Sequence, residues 1–152
     1  MKPTFNNLGR IEKKNIFSSY INSNNAQIKW KTPTQYFAGL LVCENWSNYQ
    51  SSFLENLISE MLANNAVFLG FFGKNSDIAH ELAEEQLIAK SPSQECLPIP
   101  LSWEDSQSLS DELWHFVYSY TVDTEYTENC SWIIFGVDYS VESAIKHLKF
   151  SV

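Results

Sequence analysis

Tyr36 to Cys43 reads YFAGLLVC, and Ala66 to Gly73 reads AVFLGFFG. Neither run alternates between apolar and polar residues, as a strand with one wet face would. Near-continuous apolarity over eight residues is the pattern of a strand buried on both faces. Between them, Phe53, Leu54, Leu57, Ile58, Met61 and Leu62 recur at helical spacing and form one apolar stripe, with Asn64-Asn65 as its stop signal. Strand, helix and strand in that order is the βα unit of a parallel sheet.

The same grammar continues towards the C-terminus. Ser76 is placed to cap a second helix, Asp77 to Ile88, whose Glu81, Glu84 and Glu85 face water. After a loop from Ser91 to Pro100, Leu97, Ile99, Leu101 and Trp103 alternate, while Pro98 and Pro100 allow only an edge or irregular strand. WIIFGVD (132–138) is a third strong strand. Ser140 then caps a last helix through Val141, Ala144, Ile145 and Leu148, with Lys146, His147 and Lys149 in its final turn. The expected fold is α/β and three-layered: a mainly parallel central sheet of about four strands, with helices on both faces. Residues 1–152 form a single domain, in which 1–35 is an N-terminal extension of uncertain structure. Within the extension, Ile16, Phe17, Tyr20 and Ile21 suggest a short amphipathic helix, and Gln27 to Lys31 a short edge strand before Pro33.

Charge is unevenly placed along the chain. Residues 1–75 hold seven bases and four acids, a net of +3, whereas residues 76–152 hold three bases and fourteen acids, a net of −11. The extreme is Leu101 to Glu128, LSWEDSQSLSDELWHFVYSYTVDTEYTE, with seven carboxylates and no Lys or Arg. In it Leu109, Leu113, Phe116, Val117 and Tyr120 recur at helical spacing behind a capping Ser108, and Asp111 and Glu112 sit in the first turn, where the helix dipole favours them. One face of this segment binds a core, and the remainder presents acid. Such a field repels nucleic acid and anionic membrane and attracts a basic partner. A solvated acidic surface that only confers solubility is the plainer reading of the same composition.

No stretch approaches the ~20 apolar residues of a membrane span. The N-terminus, MKPTFNNLGRIEKKN, has no apolar core of a signal peptide, so a cytoplasmic location is expected. Cys43, Cys96 and Cys130 are odd in number and lack CxxC spacing, which suits free thiols in a reducing compartment. No metal site, cofactor or catalytic group is expected. Gly70-Phe-Phe-Gly73-Lys74-Asn75-Ser76 opens a helix after a strand, but a phosphate loop needs a first glycine where Phe68 stands and a hydroxyl where Asn75 stands. These glycines are read as relief of crowding and as a turn. His80, His115 and His147 are scattered, without zinc-binding spacing. Carboxylates at strand ends, Glu44 and Asp138 with Lys74, leave open a small phosphate-ligand-binding or hydrolytic enzyme.

WEDSxxLxxELW (Trp103 to Trp114), followed by Cys130-Ser-Trp132 and an apolar strand, resembles a family of short, uncharacterised α/β proteins over roughly Tyr36 to Asp138. By type rather than motif, a short, acidic, Asn- and Ser-rich chain without catalytic signatures resembles the bacterial immunity proteins of contact-dependent growth inhibition systems. That resemblance implies a cognate protein toxin as partner, here a basic nuclease domain. The expected contact residues are Trp103, Glu104, Asp105, Asp111, Glu112, Trp114, Asp123, Glu125 and Glu128. They combine acidic steering with the aromatic anchors common at interface hot spots.

Overall fold

The computed structural model describes residues 4–24, 29–90, 99–146 and 148. In chain order they form β1 (Asn6–Ile11), β2 (Lys14–Ile21), β3 (Tyr36–Asn45), α1 (Ser51–Ala63), β4 (Ala66–Lys74), α2 (Ser76–Lys90), β5 (Leu101–Glu104), α3 (Leu109–Trp114), β6 (Cys130–Val137) and α4 (Glu142–Ile145). One six-stranded sheet results, ordered β1-β2-β6-β3-β4-β5. Every neighbouring pair is parallel except β1 and β2, an antiparallel hairpin at one edge.

The two central strands show how the layers arise. In β3, Phe37, Leu41 and Cys43 point to one face, where they meet Leu54, Leu57, Ile58 and Met61 of α1 and Ala79 and Ala83 of α2. Ala38, Leu40 and Val42 point to the other, into a core shared with Leu113, Phe116, Val117, Val141 and Ile145. β6 divides in the same way, with Ile133, Phe135 and Val137 on one side and Trp132 and Ile134 on the other. Both faces are covered by helices, so every side chain of β6 is buried. That is why these strands read as unbroken apolar runs. Among the described residues no helix is long and apolar enough to cross a membrane.

The sheet has six strands rather than about four, and the first segment is part of it rather than an extension. Ile16, Phe17, Tyr20 and Ile21 lie on β2, not on a helix. This strand sits between β1 and β6 with Ile16 and Ile21 fully buried, so its apolar residues do not alternate cleanly and their spacing mimics a helical stripe. The edge strand expected at Gln27 to Lys31 falls partly outside the described residues, and residues 29–31 form no strand. Two helix caps also differ. α2 begins at Ser76 itself, whose buried hydroxyl has no hydrogen-bond partner among the described residues. α4 starts after Val141 with no side-chain cap, so Ser140 does not fill that role, while His147 and Lys149 lie outside the described residues.

Two glycines permit close backbone approach. Gly73 has φ +131°, and a Cβ there would lie 2.0 Å from the Cys43 carbonyl oxygen, where the ends of β3 and β4 converge. The Trp46 indole N–H closes the same corner by donating to the Phe72 carbonyl at 3.0 Å. At Gly136 a Cβ would lie 1.9 Å from the Tyr139 carbonyl oxygen, because the chain folds back over the end of β6. Gly136→Ala must displace this backbone. We expect it to lower stability by at least about 2 kcal/mol, read as a lower urea midpoint with unchanged slope.

Candidate functional site

The acidic segment begins on β5, an edge strand that among the described residues pairs with β4 alone. At its last residue the Glu104 carboxylate accepts from the Ser106 amide at 2.9 Å, the Ser106 hydroxyl at 2.7 Å and the Gln107 amide at 3.2 Å. These bonds, the Ser106 hydroxyl foremost, hold its pKa below the ordinary glutamate value, so it stays ionised. The turn leads directly to Ser108, whose hydroxyl accepts from the Asp111 amide at 3.2 Å and starts α3. The expected cap is realised here.

Leu113, Phe116 and Val117 anchor α3 to the sheet. Asp111, Trp114 and His115 are exposed. After Trp114 the helix widens into a π-turn, His115–Ser119, with the Tyr120 amide donating to the His115 carbonyl at 3.0 Å. An inserted residue of this kind rotates the side chains beyond it about the helix axis. Tyr120 lies against Phe68 with ring centroids 4.1 Å apart, and Phe116 stacks on Phe68 at 6.2 Å.

Between β5 and α3 these residues enclose an open cavity of about 810 Å³. Phe68, Phe116 and Tyr120 supply aromatic surface, Ser102 and Gln107 neutral polar groups, and Glu104, Asp111 and Glu112 carboxylates. Trp103 and Trp114 flank it at 46% and 56% exposure, large values for tryptophan, whereas Trp46 and Trp132 are core residues at 0% and 3%. Among the described residues no Lys or Arg lines the cavity, and the one basic group there is His115. Desolvation raises the Glu112 pKa above its ordinary value, His115 opposes this, and Glu104 reinforces it.

The structure therefore brings together five of the nine expected contact residues: Trp103, Glu104, Asp111, Glu112 and Trp114. Asp105 is exposed beside Glu104 but does not line the cavity. Asp123, Glu125 and Glu128 are exposed at the other end of the sheet. The 3₁₀ segment Thr124–Asn129 runs straight into the first residue of β6, and Tyr126 packs on Tyr36, the first residue of β3, at 4.7 Å. The cause is topological. β5 and β6 run the same way, so the chain between them must travel from the carboxyl end of the sheet to its amino end, and acids before and after α3 are pulled apart. Phe68, Gln107 and His115 were not among the expected site residues. Phe68 enters through the pairing of β4 with β5, which no local pattern announces.

The strand ends at the other candidate position are occupied by each other. Asp138, at φ +51°, accepts from the Ser23 amide at 2.9 Å, from the Ser23 hydroxyl, and from the Tyr49 hydroxyl at 3.3 Å. Asn45 Oδ1 accepts from the Ser47 amide and hydroxyl and from the Asn75 side-chain amide at 3.0 Å. Glu44 and Lys74 are exposed, and no group of three metal-ligating side chains occurs among the described residues. Burial pushes the Cys43 and Cys130 thiols up to about 12, so neither is a ready nucleophile at neutral pH. Cys96 lies outside the described residues.

A carboxylate whose pKa is raised in the folded state makes the protein less stable once ionised. The penalty is absent below the unfolded pKa and complete above the folded one. Glu112→Gln should therefore raise stability at neutral pH by on the order of half a kcal/mol after solvent screening. Thermal melts across pH should show the two proteins converging as pH falls through the glutamate range. No protein-family model, curated protein or solved structure matches this chain.

Proposed function

We propose that this protein is an immunity protein of the kind found in contact-dependent growth inhibition systems, acting in the cytoplasm by binding and neutralising a cognate toxin. The toxin is a basic nuclease domain. The observation that carries this reading is the cavity between β5 and α3, where two exposed tryptophans flank three carboxylates and, among the described residues, no lysine or arginine. Exposed tryptophan is unfavourable in water and serves as a hot spot when a partner covers it. Carboxylates beside it match the cations with which a nuclease holds phosphate. Glu104 arrives ionised and fixed, and Glu112 is held half-desolvated, a state that a partner's cation relieves. Asp105, Asp123, Glu125 and Glu128 lie off the cavity, where they add long-range attraction rather than contact.

The alternative, a small phosphate-ligand-binding or hydrolytic enzyme using Glu44, Lys74 and Asp138, is less favoured. The Asp138 carboxylate already takes donors from Ser23 and Tyr49. Its signature would be turnover abolished by Asp138→Asn.

The test is co-expression with the product of the reading frame immediately upstream of its gene. Protection from killing, together with co-purification, is the expected result. Survival that does not depend on this protein would reject the immunity reading. Trp103→Ala and Trp114→Ala should each weaken the complex by about 2 kcal/mol, chiefly through faster dissociation. Glu104→Lys with Asp111→Lys should slow association about tenfold at low salt, the difference narrowing as salt rises. Lysine at Asp123, Glu125 and Glu128 should slow association more mildly and leave dissociation unchanged. Wild-type kinetics in all these variants would exclude the cavity as the contact surface.

A further inference from the structure

A second cavity, of about 350 Å³, lies on the same side of the sheet as α3 and has the opposite chemistry. Glu12, Lys13, Lys14, Thr121, Val122, Thr127 and Trp132 line it. β1 and β2 are joined through Glu12 and Lys13, with Glu12 in the left-handed region at φ +56°, and this turn delivers Lys14 to the first position of β2. From there the Lys14 side chain runs inward. It is 8% exposed, its ammonium donates to the Val117 carbonyl at 2.8 Å, and it stands 5.4 Å from the centroid of the Trp132 ring.

This is a buried charge with incomplete compensation. An ammonium has three donors, and among the described residues no carboxylate pairs with Lys14 at salt-bridge distance. A carbonyl dipole and an aromatic face offset only part of the desolvation. Trp132 also lines the cavity, and its Nε1–H is buried without a hydrogen-bond partner among the described residues. Lys13 is exposed beside Lys14, Thr121 adds a hydroxyl, and the Thr127 hydroxyl donates to the Asp123 carbonyl at 3.4 Å. Glu12 is the one acid among the described lining residues, and it is exposed to solvent that screens it.

We propose that this cavity is a binding site for a small oxyanion, a phosphate or a carboxylate, held by the ammonium groups of Lys14 and Lys13 with a hydroxyl donor from Thr121. Burial already lowers the Lys14 pKa, with Glu12 opposing the shift, and a bound anion stabilises the charged form. The site is independent of the toxin-binding reading.

The experiment is a ¹H–¹⁵N NMR titration of the intact protein with inorganic phosphate and, separately, with benzoate, at constant ionic strength set by chloride. The indole signal of Trp132 and the amides of Thr121 and Thr127 report on the cavity. Saturable shifts confined to these signals are expected, with the anion that saturates them naming the ligand class. Lys14→Met should raise the dissociation constant at least about tenfold. Lys13→Ala alters only an exposed side chain and should weaken binding severalfold in a folded protein, even if Lys14→Met does not fold. A Lys14 that merely clasps Val117 predicts no saturation. Absence of saturation by both anions, or wild-type affinity in Lys13→Ala together with any folded Lys14→Met, overturns the proposal.

Discussion

Parallel strands covered on both faces leave no place for charge along their length. β3 and β6 meet this constraint most strictly, with every residue of β6 buried and only the two ends of β3 reaching water. Polar chemistry is therefore expelled to the strand ends, to the edge strand β5 and to the segments that cross between strands. Both cavities lie in crossing or edge structure. Among the described residues, Trp132 is the one lining side chain that either cavity draws from β3 or β6.

The acidic cavity gathers groups that each carry some strain on stability. Two large tryptophan surfaces stay in water, and Glu112 is partly desolvated near a second carboxylate. None of these features strengthens the isolated fold. An exposed aromatic surface of this kind is the sort that a partner can cover with a gain in free energy. Phe68, Phe116 and Tyr120 beneath them form a packed aromatic base that holds the carboxylates in place.

The topological switch lies between the adjacent strands β6 and β3, whose following helices α4 and α1 pack on opposite faces, and such a point is the usual ligand site of these sheets. Here its polar groups are turned to structural ends. Asp138 ties the chain after β2 to the end of β6 through Ser23 and braces α1's approach through Tyr49, while Asn45 and Asn75 bind the ends of β3 and β4 together.

Local chemistry was enough to reveal much of this protein. The runs at 36–43, 66–73 and 132–138, the apolar stripe of α1 and the Ser108 cap depend only on neighbours in the chain, and each is a strand, helix or cap as its residues imply. The mainly parallel α/β sheet follows from their order. The place of β2 inside the sheet was not legible, because it depends on pairing with β6, more than a hundred residues later. Nor did proximity in sequence say which acids share a surface. Glu104, Asp111 and Glu112 meet, whereas Asp123, Glu125 and Glu128 are carried to the far end by the parallel crossover. Lys14 is the sharpest case. In the sequence it is one of several N-terminal bases, and only the fold lays it against Val117 and Trp132, because burial of a charge is decided by what the distant chain places around it.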